Sequence, residues 1–310
     1  MCPNRSVNFL LTNKCNLRCK YCFLSIPSIG NKENDILEED IIIKKMEKLR
    51  KSNVREILFS GGEPLLYPNI KSILIQAQNM EFTTSLYTNG YLSLQNVLPY
   101  LDNVYLSLDG NKDTHNRIRG NYKSFQRLWN NIMEIFKFNQ CNKKNIKCNI
   151  NCVVTSDNIN LIESDFSSLI EDDIFCHTVN NINLCKVSSE GEVFKNKYLL
   201  IDNDSQKEQI REIANRLTKK SKYKVIFLTN LYSLKEFKRS FPSPEFLTIP
   251  IWFDFSENKI YLVRNEKLYS IDKFAYFDEA LSEHLIKSYR KIDERLPKDS
   301  LFDPFEVLNS

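Results

Sequence analysis

Three cysteines, Cys15, Cys19 and Cys22, sit in the run Cys-Asn-Leu-Arg-Cys-Lys-Tyr-Cys. Their spacing lets three thiolates converge from one loop onto one metal centre. Thiolates are soft donors that suit an iron–sulfur cluster or zinc. A closed zinc site takes four ligands, and no fourth Cys or His lies nearby in the chain. Three ligands on a four-iron cluster leave one iron open to another molecule. The bland alternative is three thiols that cluster without a metal. Further along stands Ser60-Gly61-Gly62-Glu63-Pro64. Its glycines let the backbone approach a ligand closely, and Glu63 can pair with an ammonium group. Thr88-Asn89-Gly90 follows, then Ser107-Leu108-Asp109-Gly110, then His115-Asn116-Arg117-Ile118-Arg119-Gly120.

Each of the first four motifs falls just behind a segment that reads as a strand. Apolar patterning places strands at 7–12, 56–60, 83–88, 104–108, 146–155 and 182–187. Helical stripes fall between or after them at 38–52, 70–80, 92–100, 124–139, 160–170 and 206–219. Six strand–helix units predict an α/β fold with a parallel sheet, right-handed crossovers and helices outside. The sheet is either open or curled into a partial barrel, and in both cases functional groups belong at the carboxyl ends of its strands. From about residue 221 the rhythm breaks. A possible strand at 223–228, a turn-rich Phe241-Pro242-Ser243-Pro244, a hairpin over 249–263, a strand at 267–271 and a helix over 277–291 make a small α+β extension. The expected division is a core over 1–220 and an extension over 221–310.

Cys-x3-Cys-x-aromatic-Cys after the first strand, followed by Gly61-Gly62-Glu63, resembles the radical S-adenosylmethionine (SAM) superfamily. The resemblance implies a partial (βα)6 barrel whose [4Fe–4S] cluster sits on Cys15, Cys19 and Cys22. It further implies that SAM chelates the open iron and is cleaved reductively to methionine and a 5′-deoxyadenosyl radical. Gly61, Gly62 and Glu63 then hold the methionine amino group, and Thr88 and Asn89 reach the SAM region. The stretch from Ser107 to Gly120 resembles peptide-modifying members such as the anaerobic sulfatase maturases and the pyrroloquinoline-quinone enzyme. By that similarity Ser107 and Arg119 contact the ribose and carboxylate of SAM, a group suited to the planar guanidinium fork. Arg117 is the neighbour that could point inward instead. Tyr21 carries the motif's aromatic position. Val153 and Val154 are the expected apolar cover for adenine, Asp109 a turn or supporting group, and His115 structural or substrate-facing. Lys14, Arg18 and Lys20 favour an anionic cluster. The resemblance covers the architecture from about 7 to 220 and specific motifs only between Val7 and Gly120.

The peptide-modifying group carries a cysteine-rich tail for auxiliary clusters, and this chain has no cysteine after Cys185. The segment 249–291 has the form of such a tail with its ligands replaced, Trp252, Phe253 and Phe255 standing in the region. It is expected to cap the barrel or to bind peptide. Cys141, Cys148 and Cys152 are either buried thiols or an incomplete second site. Cys185, near the end of the sixth strand, is either a buried thiol or a hydrogen-atom donor to a substrate radical; Cys176 reads as a buried thiol.

Forty-three Lys and Arg against 39 Asp and Glu give a formal charge of +4, too weak to indicate a nucleic-acid partner. Neither a secretory h-region nor a membrane-length apolar run is present, so a cytoplasmic protein is expected. The leading functional expectation is a radical SAM enzyme that modifies a peptide or protein side chain. The alternatives are one acting on a nucleotide, RNA or small metabolite, and a non-catalytic module that keeps the fold. Expected partners are the peptide or small-molecule substrate and an electron donor such as flavodoxin or ferredoxin. With six residues ahead of the first strand, a separate leader-peptide-binding protein is expected for a peptide substrate.

Overall fold

Successive residues of the central strands alternate between two environments, and that alternation sets the architecture. A computed structural model describes residues 5–22, 24, 38–51, 54–187, 191–201, 203–221, 226–229, 251–254, 259–264 and 267–271, with side chains described only from Val7 to Ser221. Six strands, β1 (Arg5–Leu10), β2 (Val54–Ser60), β3 (Thr83–Thr88), β4 (Asn103–Ser107), β5 (Lys147–Val154) and β6 (Val179–Lys186), pair in parallel and in chain order. One face of the sheet, carrying Phe9, Ile57, Phe59, Leu86, Leu106 and Ile150, is wholly buried. Parallel strands covered by helices bury one face in this way. Phe9 and Phe59 meet edge-to-face across β1 and β2, with centroids 5.9 Å apart.

The cover on that face comes from the helices. They are α1 (Glu39–Lys51), α2 (Ile70–Asn79), α3 (Lys112–Arg119), α4 (Ser124–Cys141), α5 (Ile162–Leu169), α6 (Asp173–Thr178) and α7 (Asp204–Lys220). Ile42 and Met46 of α1, Ile73 and Leu74 of α2, and Leu128 and Ile132 of α4 join the same apolar core. Full burial of each large side chain contributes roughly 1.5–3 kcal/mol. The other face, here called the inner face, carries Leu58, Tyr87, Tyr105, Ser107, Asn151 and Asn183, all partly open to solvent in mid-sheet.

Three segments depart from the sequence expectation. The helix expected at 92–100 shrinks to a 3-10 turn at Leu98–Tyr100. Asn131 of α4 takes its backbone partners: Leu94 N–H donates to Asn131 Oδ1 at 2.9 Å, and Asn131 Nδ2 donates to the carbonyls of Gly90 and Leu92. The stretch 112–119, where no helix is expected, is helix α3, capped by the Asn111 side chain at its start and by Gly120 in the left-handed region at its end. Helix α6 was not anticipated; its Asp172 cap accepts from Phe175 N–H at 2.9 Å.

The C-terminal strands join the same sheet. Strand β7 (Ile226–Thr229) extends it in parallel beside β6. Strand β8 (Ile251–Asp254) pairs in parallel with β1 on the opposite side, and β9 (Lys259–Arg264) and β10 (Lys267–Ile271) continue as an antiparallel meander. The expected hairpin and third strand therefore form, at the edge of the main sheet. The expected helix over 277–291 and Phe255 lie outside the described residues, as do the side chains of Trp252 and Phe253.

The alternation is directly testable. Ile150→Ala, on the helix-covered face, should cost about 2–5 kcal/mol in urea unfolding. Asn151→Ala, one residue along on the inner face, should cost no more than about 1 kcal/mol. Equal costs would contradict the assignment of faces.

Candidate functional site

Two glycines let the cysteine loop lie against the end of β2. Gly61 has φ +134°, and a Cβ there would stand 2.5 Å from the Thr12 carbonyl oxygen. Gly62 N–H donates to Thr12 O at 2.7 Å, and Glu63 N–H to Lys14 O at 2.8 Å. These bonds fix the approach to Cys15 from below.

The Glu63 side chain has no exposed surface. Its Oε1 accepts from Thr88 Oγ1 at 2.8 Å and from Leu65 N–H at 3.1 Å, and its Oε2 from Asn89 N–H at 2.9 Å. Burial pushes its carboxyl up to about 7 against these three bonds. Thr88 thus serves Glu63 and not the open side of the loop. Asn89 reaches further: its Nδ2 donates to Asn16 Oδ1 at 2.8 Å and stands 3.9 Å from Cys15 Sγ.

The second half of the site is organised by Asp109, also wholly buried. Its Oδ2 accepts from Tyr21 Oη at 2.7 Å and lies 2.7 Å from Arg119 Nε; its Oδ1 accepts from Val153 N–H at 3.1 Å. The Arg119 guanidinium stands 5.5 Å from the Tyr21 ring centroid, and its Nη1 lies 3.8 Å from Cys19 Sγ. Arg119 Nη2 is buried with no hydrogen-bond partner among the described residues. Arg117 points the other way, to Asp157 Oδ2 at 3.3 Å on the surface. Of the two arginines, Arg119 is therefore the inward one.

His115 is structural. It is wholly buried, its Nδ1 accepts from Asp109 N–H at 3.3 Å, and its Nε2 lies 3.2 Å from Ser124 Oγ. Burial, reinforced by the Arg119 charge, brings its pKa down to about 3, so the ring is neutral.

The three thiols are partly open, and Cys19 and Cys22 lie near enough to Cys15 for their charges to act on it, although among the described residues no three His, Cys, Asp or Glu side chains are gathered as a metal-holding group. Burial pushes Cys15 up to about 12, with further upward pressure from the charges of Glu63, Cys19 and Cys22. Burial also raises Cys19, opposed by the Arg119 charge. Leu17 N–H donates to Cys15 Sγ at 3.4 Å. The loop is clamped from outside as well: Glu192 N–H donates to Cys22 O at 2.9 Å, and Asn196 Nδ2 to Lys20 O at 3.0 Å.

The remaining expected residues are spread over both faces. Ser107 and Val153 sit at strand ends on the inner face. Val154 is wholly buried on the helix-covered face, so the expectation that it covers adenine alongside Val153 does not hold. Cys185 pairs in register with Val153 and is partly open on the inner face. Cys148 and Cys152 are buried on the helix-covered face of β5, and Cys141 is exposed at the end of α4. Those three do not gather. Sequence reasoning missed the fastening by Asn16 and the role of Asn158, which accepts from Thr155 N–H at 2.8 Å and donates to the Asp109 carbonyl at 3.2 Å. Polar side chains inside loops carry no periodic signal, and nothing in the sequence marked either.

Residues 9–157 match the sequence profile of the radical SAM superfamily. Over 172 residues the chain is 30% identical to an S-adenosylmethionine-dependent nucleotide dehydratase of Flammeovirga pacifica, covering 52% of this chain and 57% of that protein. Over 140 residues it is 30% identical to the sporulation killing factor maturation protein SkfB of Bacillus subtilis, covering 43% of this chain and 33% of that protein. The chain thus spans less than two thirds of either relative. In fold it is similar to SuiB of Streptococcus suis bound to S-adenosylmethionine, with TM-score 0.64, 17% identity, and coverage of 96% of this chain and 70% of that one. It is likewise similar to anSMEcpe with bound AdoMet, with TM-score 0.63, 17% identity, and coverage of 93% and 84%.

The neutral His115 sets an acid limit on the site. Its folded pKa lies below the unfolded value, so its contribution is fully present above about pH 6.5 and is lost as pH falls toward 3. Between pH 6.5 and pH 4 the chain should lose on the order of 2–3 kcal/mol through this group. The difference between wild type and His115→Gln, read from urea midpoints across that range, isolates the effect. Parallel pH profiles would show that His115 is not buried neutral.

Proposed function

From its place in the radical SAM superfamily, whose members use S-adenosylmethionine and an iron–sulfur cluster, we propose that this chain holds a [4Fe–4S] cluster on Cys15, Cys19 and Cys22 and modifies a peptide or protein side chain. When bound, cluster and SAM together supply one-electron cleavage of the SAM sulfur–carbon bond. The observation that carries the reading is Arg119: a buried guanidinium beside Cys19 with an unpartnered Nη2. A buried cationic donor without a partner is costly, and an anionic ligand at that point relieves it. The donor set fits as well. Two of the loop's three thiols receive contacts of the kind that tunes metal-bound sulfur, Cys19 from a guanidinium and Cys15 from a carboxamide and a backbone N–H.

The chain's own residues then divide the work. Gly61 and Gly62 bring the loop to the end of β2, and Glu63, through Thr88 and Asn89, holds β2, β3 and the loop in one register. Tyr21 and Asp109 fix the Arg119 plane. Ser107 and Val153 line the inner face beside it, the first for a ribose hydroxyl, the second as apolar cover. Cys185 is the one thiol beyond the loop that is described on that face, and its place suits a hydrogen-atom donor to a substrate radical. The thiyl left behind would be restored by one electron and one proton. An electron donor such as flavodoxin or ferredoxin supplies electrons, and a separate leader-binding protein presents the peptide. The segment 221–310, entering the sheet through β8, serves as a cluster-free platform for substrate.

Two observations support a peptide over a nucleotide. One is the sequence likeness to a peptide maturation protein. The other is the inner face of β2 to β6, where among the described side chains the sole cation is Lys147 at the amino end, leaving little to meet a phosphate. The nucleotide reading is supported by the likeness to a nucleotide dehydratase. No helix among the described residues is long and apolar enough to cross a membrane.

Anaerobic reconstitution should give about four irons and four sulfides per chain. Replacing Cys15, Cys19 and Cys22 with Ala should remove both the iron and the release of 5′-deoxyadenosine, scored by mass spectrometry. Iron retained at the wild-type level in the triple variant would refute the assignment.

Arg119→Ala should weaken SAM binding about tenfold or more in equilibrium dialysis, while Arg117→Ala leaves it unchanged. The reverse pattern would move the SAM contact to the outer arginine.

A further inference from the structure

We propose that the inner face of the sheet holds a binding site for a neutral planar amide, read by the paired carboxamides of Asn151 and Asn183. The proposal rests on the reading of the chain as a radical SAM enzyme whose substrate lies on this face, and it narrows the class of that substrate. The tripeptide Asn-Ile-Asn occurs on two neighbouring strands, at 149–151 and 181–183. The strand register sets Asn149 beside Asn181 and Asn151 beside Asn183. Asn181 Nδ2 donates to Asn149 Oδ1 at 3.1 Å, and Asn183 Nδ2 donates to Asn151 Oδ1 at 2.7 Å. Asparagine is depleted from strands, so four of them across two adjacent strands is a choice against propensity.

In the lower rung Asn149 is buried and Asn181 partly open; in the upper rung both Asn151 and Asn183 are partly open, as are the neighbouring Tyr87 and Tyr105. The lower rung lies in register with Tyr105 and Tyr87, one step above a closed polar floor in which Ser85 Oγ donates to Glu56 Oε1 at 2.7 Å and Asn103 Nδ2 donates to Ser85 Oγ at 2.9 Å. The upper rung lies in register with Ser107. Nearby, the Tyr87 ring stacks on Tyr105 with centroids 4.3 Å apart and planes 13° from parallel.

A carboxamide offers two N–H donors and two acceptor lone pairs. The bond between Asn183 and Asn151 uses one donor of the first and one lone pair of the second. Both groups therefore keep donor and acceptor capacity side by side, the pattern that another amide complements. On the inner faces of β2 to β6, no charged side chain is described between Glu56 and Lys147 at the amino end and Asp109 at the rim, and Asp109 is already paired with Arg119. A substrate ammonium or carboxylate entering here would give up water for neutral partners alone, which is costly. A planar amide keeps its hydrogen bonds and lies flat against aromatic rings.

Such an amide comes from a peptide, as its backbone or an Asn or Gln side chain, or from the cyclic amide of a pyrimidine base. The shortage of cations on this face favours the peptide. The test titrates the cluster-loaded chain with butyramide, butyrate and butylammonium, then with N-acetylglycinamide and uridine, by saturation-transfer NMR. SAM cleavage is recorded on the same preparation. Butyramide should bind about tenfold tighter than either charged isostere, and Asn151→Leu and Asn183→Leu should each weaken it about tenfold. Asn183→Asp keeps the side-chain volume and should turn the preference toward butylammonium, a change that a purely structural asparagine would not produce. Urea midpoints identify the variants that remain folded.

N-acetylglycinamide binding above uridine supports the peptide source, and the opposite order supports the pyrimidine. Charged isosteres that bind as well as butyramide, or amide binding untouched in both folded leucine variants, overturn the proposal. A preparation that cleaves SAM but binds no amide overturns it alone. One that binds amide but never cleaves SAM overturns the enzymatic reading alone.

Discussion

A carboxylate without exposed surface must be answered by its surroundings, and Asp109 imposes that demand on half of the site. Burying an unpaired charge is prohibitive, whereas a charge that meets a guanidinium, a phenol and a backbone N–H is tolerated. Asp109 meets all three, from α3, the cysteine loop and β5. Each partner belongs to a different segment, so the satisfaction of one side chain fixes the relative placement of all of them. The plane of Arg119 and the proximity of its Nη1 to Cys19 follow from this arrangement. Removing Asp109 would leave Arg119 as the unanswered buried charge, so the pair cannot be weakened from one side.

Glu63 plays the corresponding part on the opposite flank, by hydrogen bonding without a cation. Its three donors come from its own turn and from the end of β3. Together with the close backbone approach at Gly61, it makes the β2 turn a rigid seat for the loop. The site therefore rests on two buried carboxylates, one beneath the first cysteine and one beside the second. Preorganisation of this kind spares the ligand the cost of ordering the loop.

Much of this was legible in the sequence, for identifiable reasons. The six strands are apolar runs of the right length, and each motif lies just past one of them, so the parallel sheet and its functional edge could be written down together. The tie between Tyr21 and Arg119 could not, because 88 residues separate Tyr21 from the aspartate that joins them. Helix α3 was missed because seven of its eight residues are polar and Ile118 alone makes no apolar stripe, although Asn111 and Gly120 are its two caps in plain view. The helix expected at 92–100 failed for a tertiary reason, since Asn131 on another element claims its backbone. The repeated Asn-Ile-Asn was visible from the start, but its meaning depends on register, which sequence does not supply.

The clamp on the cysteine loop has a consequence for biogenesis. The loop's outer fastening comes from Glu192 and Asn196, the latter 176 residues downstream of Lys20. During synthesis at about 5–20 residues per second, the thiols are made roughly nine to thirty-five seconds before that segment exists. Throughout this interval the cysteine loop has its thiols but not its outer fastening. The nascent loop is therefore held from the β2 side alone, and the completed chain holds it from two sides.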